Sequence, residues 1–204
     1  MRLAHMVGVL GRPHDLVIGA HLSLCAHCRA QAEADLAVGG QLLEALPPSQ
    51  LASGALERAL EALGPSPRES EGDTGVAESP ALVPGQLPAE LDDLLRIAPL
   101  RWLAPGVRQA ILLRRADSML RLLRIRPGKA VPRHGHNGTE LTLVLEGTFA
   151  DETGHYGLGD LVEAGEGLDH KPVATGVVDC VCLVATLGPL RFRGLLGNLR
   201  IVGM

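Results

Sequence analysis

The stretch 64–86, which begins Gly-Pro-Ser-Pro-Arg-Glu-Ser-Glu-Gly-Asp, mixes Pro, Gly, Ser and acidic residues with few apolar anchors. Such a composition cannot bury enough surface to offset the entropy of ordering it, so it reads as a flexible linker. It divides the 204 residues into two parts with different hydrophobic periods. Before it the apolar residues recur at helical spacing; from about Leu95 they alternate with period two. A chain so divided is expected to form two small domains rather than one large one, and domains of that size benefit from a metal or another added support.

In the first part, Pro13 and Asp15 suit the opening turn of a helix over 15–38, whose positive dipole end the carboxylate complements. Gly39-Gly40 is expected to end it. A short helical piece over 41–46 then stops at Pro47-Pro48, because the residue before proline is pushed out of the α region. Ser53 can cap a last helix over 54–63, where Leu56, Leu60 and Leu63 share a face. These apolar faces exceed what three short helices can bury among themselves, which implies a partner surface or a further helix before Pro13. In the second part, 107–113, 118–125, 141–145, 160–163 and 177–186 read as strands separated by turn residues, the pattern of a sandwich or jelly roll.

Two groups of residues carry chemistry. The first is His21-Leu-Ser-Leu-Cys25-Ala-His-Cys28. On a continuous helix, offsets of four and seven bring one imidazole and two sulfurs to one face, and these are donors that Zn²⁺ favours. A C-x-x-C pair opening a helix after a strand would instead suggest redox chemistry, but no β-branched run precedes this one; two plain buried cysteines are the remaining alternative. The second group is Gly128-x₅-His134-x-His136-x₃-Glu140, with His170 downstream. His134 and His136 project to one side of an extended chain, and Glu140 can return to that side after Asn137-Gly138. Three His and one Glu suit Zn²⁺, Mn²⁺, Fe²⁺ or Ni²⁺. His155 and His27 are assigned to the surface or a satisfied core. Cys180 and Cys182 share one face of a strand, either as small buried residues or as an oxidation-sensitive pair; an easy disulfide between them is excluded by strain.

The remaining composition narrows the partners. A net charge of -4 and a pI near 6.0 argue against direct nucleic-acid binding, and one Trp, one Tyr and two Phe offer little for base stacking. No apolar run is long enough to span a bilayer, and the start Met-Arg-Leu-Ala-His-Met has no sustained apolar leader, so a cytoplasmic protein without a membrane partner is expected. Paired cysteines in a reducing compartment fit metal or thiol chemistry rather than a disulfide framework.

The spacing Gly128-x₅-His134-x-His136-x₃-Glu140-x₆-Gly147 resembles the first cupin motif in full. Gly159-x₅-Gly165-x-Gly167-x₂-His170 resembles the second, with Gly165 where cupins usually carry Pro and Ala174 where they usually carry Asn. The resemblance implies a small β-barrel with one metal held by His134, His136, Glu140 and His170. A helical His-x₃-Cys-x₂-Cys unit, a linker and a C-terminal cupin together resemble the zinc-dependent anti-sigma factors of the ChrR type. The phrases His21-Leu-Ser-Leu-Cys25, Val107-Arg-Gln-Ala-Ile111, Glu140-Leu-Thr-Leu-Val-Leu145 and Pro189-Leu-Arg-Phe192 carry that likeness.

What the resemblance implies is a multidomain protein: an all-α zinc-binding domain over 1–64, a linker over 65–87 and an all-β cupin (jelly-roll) domain over 88–204. The helical domain would bind and inhibit an ECF (extracytoplasmic function) sigma factor through zinc at His21, Cys25 and Cys28. The cupin would be needed for release on singlet oxygen or an organic hydroperoxide. In that family a fourth zinc ligand lies before the first helix, farther upstream of His21 than the residues here reach. The N-terminal domain is therefore expected to be incomplete, with a water as ligand, or with His14 or His5 closing the site. The competing expectation is a cupin metalloenzyme, a dioxygenase, hydrolase or isomerase, in which Asp169 or Glu163 could serve as acid or base.

Overall fold

The computed structural model describes residues 1–63, 87–188, 190–192 and 200–201; the expected linker lies almost wholly outside them. The helices of the first part are α1 (Arg2–Met6), α2 (Arg12–Leu24), α3 (Ala26–Glu44) and α4 (Ala55–Leu63). Pro13 sits in the first turn of α2 and Asp15 follows it, as the residues dictate. The expected single helix is broken at Cys25, which is extended at φ -102°, ψ 100° and joins α2 to α3. Gly39-Gly40 does not end α3. Glycine inside a helix costs about 1 kcal/mol each without forbidding it, whereas Pro47 does forbid continuation. The Arg2 Nε–Asp35 Oδ2 bond of 3.0 Å ties α1 to α3, and His5 Nδ1 lies 2.6 Å from Asp15 Oδ1 at the start of α2.

The second part opens with a helix that the alternation did not suggest, α5 (Ala89–Ile97), with Leu91 fully buried. The strands are β1 (Arg101–Ala104), β2 (Val107–Arg114), β3 (Ser118–Ile125), β4 (His134–His136), β5 (Glu140–Glu146), β6 (Thr148–Asp151), β7 (Gly154–Gly157), β8 (Leu161–Ala164), β9 (Val173–Ala174), β10 (Cys180–Leu187), β11 (Leu190–Phe192) and β12 (Arg200–Ile201). Among the described residues they form a six-stranded sheet in the order β1-β2-β3-β10-β5-β8 and two three-stranded sheets, β12-β11-β4 and β7-β6-β9. At the β5–β6 turn Gly147 has φ +68°, and a Cβ there would lie 2.5 Å from the Asp179 carbonyl oxygen, so only glycine fits.

The central strands of the six-stranded sheet are buried on both faces. Leu120 and Leu122 of β3, Leu141, Leu143 and Leu145 of β5, and Val181, Leu183 and Ala185 of β10 form one core with Leu91 of α5 and with Leu16, Val17, Ile18 and Ala20 of α2. The surplus apolar face of α2 is thus covered by the sheet. Residues of the other parity, among them Leu123, Ile125, Val144, Cys182 and Val184, form a second core with Phe149 inside the barrel. By contrast α3 buries only Ala32, and α4 buries nothing among the described residues.

Leu91→Ala, at the centre of the layer between helices and sheet, is expected to cost about 2–5 kcal/mol in denaturant unfolding. Leu60→Ala on exposed α4 is expected to change stability by less than about 0.5 kcal/mol. Similar losses for the two would contradict this packing.

Candidate metal centres

His134 and His136 lie on β4, and the intervening Gly135 leaves room for the Asp169 carboxylate, which a Cβ there would displace. A reciprocal backbone pair, His134 N–H to the His170 carbonyl at 3.1 Å and His170 N–H to the His134 carbonyl at 3.0 Å, sets His170 beside His134. Glu140 opens β5 in the six-stranded sheet, so the four side chains converge from two sheets. All four are buried, and one potential ligand atom from each falls within a 4.8 Å group.

The hydrogen bonds decide what that cluster can hold. His134 Nδ1–H donates to the Pro132 carbonyl at 2.8 Å, and His170 Nδ1–H donates to Asp151 Oδ2 at 2.9 Å. The lone pair of each ring is therefore on Nε2, and the two Nε2 atoms are 3.2 Å apart. His136 Nε2 is 3.1 Å from His170 Nε2, and Glu140 Oε1 is 3.7 Å from it. Facing lone pairs repel one another unless a proton or a cation lies between them. Ligands about 2.1 Å from one ion are about 3.0–3.4 Å apart, so the spacing suits a metal. Asp151 completes a carboxylate–histidine pair that fixes the ring of His170. Nothing in the sequence marks Asp151 apart from its place on the strand after Gly147. Asp169 approaches Gly135 and Glu163 lies on β8; neither belongs to the four-residue cluster.

At the other cluster His21 ends α2, Cys25 is the break, and Cys28 opens α3, with one potential ligand atom from each within the same 4.8 Å limit. The three donors meet across a helix junction rather than on one helix face. His21 Nδ1–H donates to the Gly159 carbonyl of the barrel at 3.0 Å, which leaves Nε2 as the bare nitrogen. The backbone N–H of Cys28 lowers the Cys25 thiol pKa, while burial and the neighbouring Cys25 raise that of Cys28. Neither proposed fourth donor joins this cluster. His14 is buried with Nε2 3.2 Å from the Thr139 carbonyl oxygen, and His5 is held by Asp15. His27 pairs with Gln31. Cys180 and Cys182 are buried with their sulfurs 3.5 Å apart, and Cys182 lines the cavity that holds His134, Glu140 and His170.

Residues 92–190 match the family described as the ChrR cupin-like domain. Over 199 residues, 96% of this chain and 91% of the relative, the sequence is 43% identical to the anti-sigma-E factor ChrR of Cereibacter sphaeroides. The fold is similar to that in the crystal structure of Rhodobacter sphaeroides SigE in complex with the anti-sigma ChrR. The TM-score is 0.72 at 42% identity, covering 91% of this chain and 94% of that one.

Burial lowers the pKa of His134 and of His136 from 6.5 to about 4, which keeps both imidazoles neutral at physiological pH. Between those values the unfolded chain binds more protons than the folded one, so stability rises with pH across that window. The chelator-treated protein is therefore expected to lose thermal stability as pH falls from 6.5 to about 4. A melting temperature that stays flat over that window would contradict the assignment.

Proposed function

The chain belongs to the ChrR family of anti-sigma factors, and on that premise we propose that its helical part holds an ECF-type sigma factor inactive and that its cupin part triggers release on singlet oxygen or an organic hydroperoxide. As a member of that family the protein is a regulator that acts by binding another protein, not an enzyme. The observation that carries the reading is the division of apolar surface. The barrel sheet covers α2, whereas Leu36, Leu42 and Leu43 of α3, and Leu56, Leu60 and Leu63 of α4, remain exposed. Exposed rows of this kind mark protein-binding surfaces. No helix among the described residues is long and apolar enough to cross a membrane, and the reading places the protein in the cytoplasm with its partner.

Zinc held by His21, Cys25 and Cys28 would join the end of α2 to the start of α3, and a divalent ion at His134, His136, Glu140 and His170 (zinc, or else Mn, Fe or Ni) would supply a Lewis-acid position. The chain's own residues offer a path between the two. Glu140 begins β5; Val144 on β5 accepts from the Gly159 N–H at 2.9 Å; and the Gly159 carbonyl accepts from His21 Nδ1–H. A displacement of Glu140 along β5 therefore reaches the imidazole of the other cluster through two hydrogen bonds. This supports a coupling in which the barrel's state sets the orientation of His21.

The test is co-purification with the sigma factor encoded beside the gene, together with the activity of its promoter. His21→Ala and Cys25→Ala are expected to weaken the complex by about tenfold or more and to derepress the promoter. His134→Ala is expected to keep the complex but to lose release by tert-butyl hydroperoxide. If His21→Ala and Cys25→Ala bind and repress as well as the parent, the zinc-dependent grip is wrong.

A further inference from the structure

Arg121 sits on β3 between Leu120 and Leu122, which face the helices, so its own side chain faces into the barrel. Period two would put an apolar residue there, like its same-side neighbours Leu123 and Ile125. Arg121 is only 7% exposed. Its Nε has no hydrogen-bond partner among the described residues, and no carboxylate of those residues forms an ion pair with it. It feels the charge of Glu140, but Glu140 belongs to the histidine cluster. A buried guanidinium without a bonded anion is costly, so it marks a place where an anion is supplied from outside.

The space it faces can hold one. A cavity of about 430 Å³ is lined by Arg121, His134, Glu140 and His170 at its polar part and by Leu123, Ile125, Val131, Phe149, Val162 and Val184 as apolar wall. That size and lining suit a small organic ligand. Exposed Arg114, Arg115 and Asp117 also line it and form its mouth. A divalent ion and the guanidinium together would outweigh Glu140 and Asp151, which also lines the cavity, and leave the polar part net positive. The Arg121 fork matches a carboxylate in shape and charge.

We propose that the barrel cavity binds a small organic carboxylate, its head on Arg121 beside the histidine cluster and its short hydrocarbon tail against Phe149, Val162 and Val184. The ligand class follows from the juxtaposition of a buried, unpaired guanidinium with an apolar wall. The inference shares its cavity with the metal reading but rests on Arg121.

The experiment is calorimetric titration of hexanoate into the full chain loaded with zinc and, in parallel, into the chelator-treated chain, with zinc content measured in each. Saturable binding is expected, about tenfold or more weaker in Arg121→Met and restored in part by Arg121→Lys. The uncharged probe 1-hexanol is expected not to compete. No saturation by about 10 mM, equal binding by Arg121→Met, or competition by 1-hexanol would overturn the proposal. An absence of zinc with Arg121-dependent binding intact would instead sink the metal reading alone. If Arg121→Met fails to fold, the Arg121→Lys and 1-hexanol comparisons still decide.

Discussion

Burial of both faces of one sheet organises this molecule. Along β10 the side chains alternate, with Val181, Leu183 and Ala185 against the helices and Cys180, Cys182 and Val184 in the barrel interior. The same strands therefore hold α2 on one side and line the cavity of the histidine cluster on the other. Dense interiors transmit displacement, so a change inside the barrel has a short physical route to the helix that carries His21. The hydrogen bond from His21 to Gly159 is the point where that route meets the second cluster.

What could be read beforehand follows from how far each constraint reaches along the chain. His134, His136 and Glu140 were legible because strand alternation and a glycine turn bring near neighbours to one side, and His170 followed from the second cupin motif. Asp151 was not legible: it meets His170 only because β6 and the segment before β9 are brought together by the fold. The break at Cys25 was equally hidden, since no Gly or Pro marks it. The surplus apolar face of α2 was visible, yet its counterpart was not. Nearly every residue of β10 is buried, which obscures which parity faces outward. Leu91 illustrates the same limit, since a nine-residue helix is anchored by one fully buried side chain.

The two clusters differ in how completely this chain supplies them. In the barrel three imidazoles and a carboxylate converge, and the Nδ1 protons of two of the rings, His134 and His170, are committed to Pro132 and Asp151. At the helix junction three donors meet, and the histidines nearest in sequence are occupied with Thr139, Asp15 and Gln31. A site with three protein donors keeps an open position and holds metal less tightly than a closed structural one. That makes the orientation of His21, fixed from the barrel side, matter more than it would in a four-donor site.

The most direct test of this account is the metal affinity of the cysteine cluster when the Gly159 carbonyl is displaced. Gly159 has φ +84°, so Gly159→Val strains that turn while leaving every proposed ligand in place. Cobalt(II) titration, read by thiolate-to-metal absorption, reports on Cys25 and Cys28. The account predicts roughly tenfold weaker binding in Gly159→Val than in the parent chain. Equal affinity in the two would contradict it.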